Sequence, residues 1–246
     1  MNILMTNDDG VHSDGIVLLA EELAKRGHTV TVCAPERNQS ASSHSITMRA
    51  EYHAEKLDLE NRSAVYYAVD AKPVDCVQFA LRYLKIQPDL LISGINNGMN
   101  IGSDVIYSGT VGGAREGALS GVPSWAVSVF YEGRGQSYSF SPAITFILEN
   151  FESLFAMVAE NKTFLNINVP VNQPVCGVKI CKLAKSEYSM HVDKTGENTY
   201  CLDGLPIEFD KAERGTDLYY AMKGYATVTP LTFDATDYAA LKGITL

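Results

Sequence analysis

A short apolar run, Ile3-Leu4-Met5, opens the chain and stops abruptly at Thr6-Asn7-Asp8-Asp9-Gly10. Its length and the turn residues behind it predict a buried parallel strand. Apolar positions then recur at helical spacing. Ile16, Leu19 and Leu23, flanked by Val17, Ala20 and Ala24, predict a helix over 15–26, with Ser13 or Asp14 as its cap and Gly27 as its stop. The β-branched stretch 29–34 predicts a second strand. Strand, helix and strand in so short a span make a βαβ unit, so the sheet begins parallel. The same rhythm continues with strands over 64–69, 90–93, 124–129 and 163–169. Helices are predicted over 73–84, from Ser108 to Ser120, and over a long stretch from Ser141 or Pro142 to Ala159. After Pro170 the rhythm changes. Short strands over 178–183, 187–192 and 199–202 are separated by turns, as in antiparallel sheets. A last strand is predicted over 225–230 and a short helix over 238–242.

This pattern predicts an α/β fold: a Rossmann-like three-layer sandwich with a mostly parallel sheet and a C-terminal β-rich arm. At 246 residues the chain is long enough for one large domain. We read it as a single domain, with a core over 1–169 and an extension over 170–246 that serves subunit contacts. No G-x-G-x-x-G follows the first strand, so the dinucleotide fingerprint is missing.

Composition narrows the partners. The formal net charge is −9 and no Lys/Arg run is present. That argues against a long nucleic-acid backbone, which is bound by neutralising phosphates. The five cysteines, Cys33, Cys76, Cys176, Cys181 and Cys201, form no C-x-x-C and read as small buried hydrophobes in a reducing compartment. No apolar run reaches the length of a membrane span and no charged leader precedes the first strand, so a cytoplasmic location with no membrane partner is expected.

The candidate chemistry lies after the strands. Open α/β sheets bind ligands outside the carboxyl ends of their strands. Asp8 and Asp9 follow the first strand. The polar loop 35–44 follows the second, with Ser40, Ser42, Ser43 and Ser45 in it or just beyond. The stretch 94–102, with three Asn and three Gly, follows the strand over 90–93. Ser108-Gly109-Thr110 opens a helix, where free N–H groups and the dipole favour an anion, or where Ser108 or Thr110 simply caps. The available ligands are carboxylate, hydroxyl and amide oxygens, which favour a hard divalent cation such as Mg²⁺, Mn²⁺ or Ca²⁺. A divalent ion beside an anion-binding helix start suits phosphoryl transfer. His44 reads as a solvent-facing loop residue. A non-catalytic domain that binds a metal or nucleotide for regulation is the alternative.

Several motifs, in this order along the chain, resemble the SurE (survival protein E) family. They are Thr6-Asn7-Asp8-Asp9-Gly10, Ala34-Pro35 with Ser40 and Ser45-Ile46-Thr47, Pro73 with Asp75-Cys76-Val77, the Gly/Asn pattern of 93–102, Ser108-Gly109-Thr110-Val111, Gly215-Thr216-Asp217, and Gly224-Tyr225 with Thr229-Pro230-Leu231. The resemblance implies a 5′-nucleotidase that converts nucleoside monophosphates to nucleoside and phosphate by attack of a metal-activated water. It leaves 3′-monophosphates and short polyphosphate open as further substrates. It implies one Mg²⁺ or Mn²⁺ per subunit, held by Asp8, Asp9, Ser40 and Asn96. Asn100, Ser108, Gly109 and Thr110 would contact the phosphate. Asp8 and Asp9 would be the catalytic pair, with Asp9 favoured to position or deprotonate the water. A C-terminal arm exchanged within a homodimer or homotetramer is also implied. The chain departs from the family pattern at Met99, where Pro is usual, at Ala71-Lys72, where Gly-Thr is usual, and in lacking a Thr-Arg after Val169, with Lys185-Ser186-Glu187 nearby.

Overall fold

The structure, a computed structural model, describes residues 1–131, 138–159, 163–185, 188–206 and 212–242. Its elements in chain order are β1 (Asn2–Thr6), α1 (Asp14–Lys25), β2 (Thr29–Pro35), β3 (Ala54–Leu57), β4 (Val65–Val69), α2 (Pro73–Gln78), β5 (Leu90–Asn96), α3 (Asp104–Tyr107), α4 (Gly109–Leu119), β6 (Ser124–Phe130), α5 (Ser141–Glu149), α6 (Phe151–Ala156), β7 (Thr163–Pro170), β8 (Val178–Ile180), β9 (Tyr188–Gly196), β10 (Thr199–Pro206), α7 (Asp217–Ala221), β11 (Ala226–Thr232) and α8 (Tyr238–Leu241).

Nine strands form one sheet in the order β3-β4-β2-β1-β5-β6-β7-β11-β8. The six central strands from β4 to β7 are parallel. Side chains alternate across the pleat, so the sequence of β1 serves both faces. Ile3 and Met5 pack with α1, α5 and α6 in one fully buried cluster, which also holds Ile92, Trp125 and Leu165. Leu4 points to the other face and packs with Leu91, Cys33 and the Val77 and Ala80 side of the second helical segment. Two helical layers thus cover the sheet, as predicted. The chain order reverses between β1 and β5, since β2 lies on one side of β1 and β5 on the other. The crevice above that switch point is where such sheets place a ligand.

Helix α4 lies close against this point because one of its faces is glycine. A Cβ on Gly113 would stand 2.9 Å from both Thr6 Cγ2 and Ser93 Oγ, and one on Gly117 would stand 2.3 Å from Ser124 Oγ. At these two positions an added methyl would sit closer to neighbouring side-chain atoms than normal contact allows.

Several elements differ from the sequence expectation, each for a physical reason. The predicted helix over 73–84 is α-helical only to Gln78 and then widens over Phe79–Tyr83, where the Leu84 N–H donates to the Phe79 carbonyl at 3.0 Å. The long helix over 141–159 breaks at Asn150, whose side-chain amide donates to the Phe146 carbonyl at 2.8 Å. A short polar side chain that bonds to nearby backbone competes with helix continuation. Strand β3, Ala-Glu-Lys-Leu, has no apolar run and was not expected. It is an exposed edge strand, where charged residues discourage pairing with other chains. The short helices α3 and α7 were also not expected.

The region after Pro170 is not uniformly antiparallel. β8 joins the main sheet parallel to β11, and β11 runs antiparallel to β7. Among the described residues, β9 and β10 alone form a separate antiparallel hairpin, longer than the predicted strands. Ser186 and Glu187 lie outside the described residues. The cysteine expectation holds for Cys33 and Cys76, which are buried, while Cys176 and Cys201 are exposed and Cys181 is intermediate; all five are free thiols. Among the described residues no helix is long and apolar enough to cross a membrane.

Asp217 ties the late segment to the core. Its fully buried carboxylate accepts the N–H groups of Gly102 at 2.9 Å, Ala184 at 2.7 Å and Leu218 at 2.8 Å. Burial raises its pKa above the ordinary carboxylate value, against the lowering effect of these N–H donors. Asp217→Leu would leave three buried donors unpaired, each costing about 1–3 kcal/mol. We expect a loss of at least about 3 kcal/mol in urea unfolding; a loss under about 1 kcal/mol would contradict this role.

Candidate active site

The turn after β1 is built by Asn7. Its side-chain amide donates to the Gly10 carbonyl at 2.9 Å and to Ser13 Oγ at 2.7 Å, while its Oδ1 accepts the Gly10 N–H at 3.2 Å. Gly10 completes the turn at φ +108°, a left-handed conformation that favours glycine. This turn holds Asp8 and Asp9 at the sheet edge and ends at α1.

Asp8 is 3% exposed. Its Oδ1 accepts the Thr110 hydroxyl in a short hydrogen bond, and the backbone N–H of Thr110 also points to the carboxylate. Its other oxygen faces α4 at Gly109: a Cβ there would stand 2.9 Å from Asp8 Oδ2 and 2.5 Å from Ser42 Oγ. Ser42 Oγ is itself buried and has no hydrogen-bond partner among the described residues. Asp9 is half-buried. Its Oδ2 accepts the Asn97 N–H at 2.7 Å, and its Oδ1 has only a long 3.4 Å contact with the Asn38 amide. Burial pushes the Asp8 carboxyl up to about 6 from 3.8, opposed by the Thr110 hydrogen bond and reinforced by the charge on Asp9. Burial raises Asp9 as well, against the Asn97 N–H.

The loop after β2 is fastened over this pair. The Gln39 N–H donates to the Asp8 carbonyl at 2.6 Å. Ser43 donates through its N–H to the Tyr107 carbonyl at 2.8 Å and through its hydroxyl to the Ile106 carbonyl at 2.6 Å. The Thr47 N–H reaches both oxygens of Asp75, which also caps α2. His44 is not solvent-facing as expected. Its Nε2 lies 2.6 Å from Glu116 Oε2, and this contact lowers the Glu116 carboxyl pKa. The histidine thereby clips the loop to α4.

The remaining expected residues are placed as follows. Ser40 is on the exposed part of the loop, its N–H on Asn38 Oδ1 at 2.9 Å. Asn96 ends β5, its amide donating to the Gly98 carbonyl at 2.9 Å. Ser108 caps α4, accepting the Val111 N–H at 3.0 Å. At the start of this helix the Asp8 carboxylate accepts the Thr110 hydroxyl. Asn100 is buried. Its amide donates to Ser128 Oγ at 2.8 Å, its N–H to Asn168 Oδ1 at 2.8 Å, and its carbonyl accepts from Asn166 and Asn168. These bonds anchor the Asn/Gly loop to β6 and β7. No hydrogen bond joins Asn100 to Asp8 or Asp9.

Sequence reasoning passed over Asn7, Ser42 and Asn97 as site-building residues. Asn7 was legible in principle, because an Asn two residues ahead of an Asp-Gly step is a common turn former. Ser42 was one of several serines in the loop, and nothing in the pattern singles it out.

The oxygen set fits a hard divalent cation. Two neighbouring carboxylates are desolvated, and among the described residues no ion pair reaches either. Buried charges of one sign without compensation are costly, and a cation offsets that cost. The unpartnered Ser42 hydroxyl adds a neutral oxygen beside Asp8. Among the described residues no group of three or more His, Cys, Asp and Glu side chains is placed to hold a metal, so the two carboxylates would need hydroxyl and amide oxygens to complete a ligand set.

Known proteins resemble this chain in sequence and fold. The family model described as Survival protein SurE matches residues 3–190. The 5′-nucleotidase SurE of Clostridium beijerinckii is 38% identical over 100% of this chain and 98% of that protein. The 5′-nucleotidase SurE of Thermosipho melanesiensis is 43% identical over 98% and 95% of the two chains. A crystal structure of the SurE protein of Aquifex aeolicus superposes with a TM-score of 0.81 at 32% identity, covering 99% of this chain and 98% of that one. With matches that run the whole length, and with the acidic turn, serine loop and α4 start assembled at one strand edge, the chain belongs to the SurE family.

Proposed function

We propose that this protein is a divalent-metal-dependent phosphatase that hydrolyses nucleoside 5′-monophosphates to nucleoside and phosphate. The observation that carries the reading is the pair of desolvated carboxylates, Asp8 and Asp9, without a cationic partner among the described residues and beside an unpartnered serine hydroxyl. The relatives named above are 5′-nucleotidases over nearly full length, which supports the same activity here. A regulatory binding domain would account for the acidic pair but not for those relatives.

Asp8, Asp9, Ser40 and Asn96 would hold one Mg²⁺ or Mn²⁺ per subunit, with Ser42 as a further oxygen. When bound, the ion compensates phosphoryl charge and acidifies water. The chain's own contribution is orientation and proton transfer. Thr110 fixes Asp8 by its first oxygen and leaves the second free. Asn97 fixes Asp9 by Oδ2, which leaves Oδ1 to take the proton of the attacking water. Burial raises the pKa of this carboxylate in the metal-free chain, and a bound cation would draw it back down. Water attacks phosphorus in line with the ribose oxygen, the P–O ester bond breaks, and the ribose oxygen leaves to be protonated from solvent. With the Thr110 hydroxyl and N–H engaged by Asp8 and the Ser108 N–H by the Asp104 carbonyl, the Ser108 hydroxyl proton and the Gly109 N–H are the donors of this group that would serve the phosphate. Asn100 would act on the phosphate from its anchored loop.

Phosphate release from paired 5′- and 3′-nucleoside monophosphates and a short polyphosphate, with Mg²⁺ or Mn²⁺, tests this. Faster release from the 5′ isomers supports the reading. Release from none of them, by folded protein, overturns it.

Self-association through the β9–β10 hairpin, and a cytoplasmic location, belong to the same proposal. Met190, Val192, Tyr200 and Leu202 lie on one face of the hairpin, with Val192 opposite Leu202, and each is about 60% exposed. An isolated two-stranded hairpin is marginal in water, and a face of this kind gains by burial in a second subunit. The double variant V192D/L202D is expected to lower the mass seen in light scattering to that of a smaller species, with circular dichroism unchanged. An unchanged mass would contradict this contact.

A further inference from the structure

Two tyrosines stand at the rim of the site with no part in the scheme above. Tyr131 follows β6 directly, and Tyr138 lies just before α5. Their rings are stacked, with centroids 4.5 Å apart and planes at 26°. Both hydroxyls donate to one acceptor, Asn97 Oδ1: Tyr131 at 3.3 Å and Tyr138 in a short bond. Asn97 is the residue whose N–H holds Asp9. The stack is therefore two hydrogen bonds from the proposed proton acceptor.

The stack is also braced from the core. Tyr138 meets Phe140 edge-on, with centroids 5.5 Å apart. Phe140 in turn packs at the start of α1 against Gly15, where a Cβ would stand 3.1 Å from Phe140 Cε1 and 2.1 Å from the Ile95 carbonyl oxygen. Gly15, Phe140, Tyr138 and Tyr131 thus form a series of contacts, with all three rings half-buried against the main core. Among the described residues, no other ring engages Tyr131.

We propose that the Tyr131–Tyr138 stack is a platform on which the nucleobase of the substrate lies, with Tyr131 as the stacking surface. This rests on the nucleotidase reading and adds to it the part of the substrate that the carboxylates do not touch. Pre-stacked, tethered rings present a flat apolar face at little further cost in ordering. Stacking tolerates every base, because each has a π-face. The two phenol hydroxyls are already committed to Asn97, so they read no base edge. The platform favours a nucleoside over a bare sugar phosphate without selecting one base.

The test compares adenosine 5′-monophosphate with ribose 5-phosphate, with Mg²⁺ or Mn²⁺, on wild type, Tyr131→Leu and Tyr131→Phe. Wild type prefers the nucleotide. In Tyr131→Leu the ratio of the two kcat/KM values falls about tenfold, through KM for the nucleotide. Tyr131→Phe keeps the ring and retains most of the preference. An equal fall for both substrates, seen in kcat and also in Tyr131→Phe, would overturn the platform and make the hydroxyl a positioning group for Asp9 through Asn97. A ratio unchanged in Tyr131→Leu would overturn it as well, as would a wild type that cleaves both substrates equally well; in both cases the phosphatase reading stands. A wild type that cleaves neither overturns the nucleotidase reading itself.

Discussion

Asp8→Asn is expected to remain folded and to lose activity by about 10²–10³-fold in kcat/KM, the scale for removing one preorganised electrostatic partner. Asparagine keeps an oxygen that can accept the Thr110 hydroxyl, so the turn and α4 stay in place. What disappears is one of the two desolvated negative charges. The stability consequence has the opposite sign. The Asp8 pKa is raised to about 6 in the folded protein, from 3.8. Between these values the folded state binds more protons than the unfolded state, so stability of the metal-free protein falls as pH rises through that window. The full difference corresponds to about 3 kcal/mol above pH 6. Asp8→Asn removes this term, so the metal-free variant should be more stable than wild type at pH 7 and equal to it near pH 4. Unfolding curves at both pH values check this. A variant less stable than wild type at pH 7 would mean that Asp8 is a structural anion whose bonds to α4 outweigh its burial.

The second large effect is expected at Gly109. An added methyl would stand 2.5 Å from Ser42 Oγ and 2.9 Å from both Cβ and Oδ2 of Asp8. Those distances are below normal contact, so either the carboxylate or the serine loop must move. Overpacking of this kind costs about 1–3 kcal/mol. A shift of about 1 Å in a reacting group costs about 10²-fold in rate. Gly109→Ala should therefore lower kcat by about that factor, with KM changed far less. Gly121→Ala is the control. Gly121 also lies by α4, but nothing stands within 4 Å of its Cβ position, and its φ of +82° leaves only backbone strain. That change should cost stability and spare kcat. Equal kcat in Gly109→Ala and wild type would show that the close approach of α4 to Asp8 is not needed.

Much of this was readable from the chain. The parallel core followed from apolar runs at strand length between helical periods. The acidic turn, serine loop and Asn/Gly loop fell at one edge because successive parallel strands end on the same side. The limits came from tertiary context. Helix 141–159 reads as continuous because periodicity cannot register that Asn150 will bond to Phe146 O. β8 looks like its hairpin neighbours in composition, and only packing against β11 makes it parallel. The Thr110 hydroxyl sits on Asp8, a contact that no spacing rule reveals. His44 was read as a loose loop residue because its partner, Glu116, is 72 positions away. Separations of 66, 68 and 28 positions likewise hide the Asn166, Asn168 and Ser128 support of Asn100.

The central claim is that Asp8 and Asp9 form a metal-dependent phosphatase centre. Its most direct test is phosphate release from a nucleoside 5′-monophosphate by chelator-treated protein, before and after Mn²⁺ or Mg²⁺ is restored. The account predicts no release without the ion, recovery on restoring it to wild type, and no recovery in Asp8→Asn. Release that persists in excess chelator, or full recovery in Asp8→Asn, would contradict it.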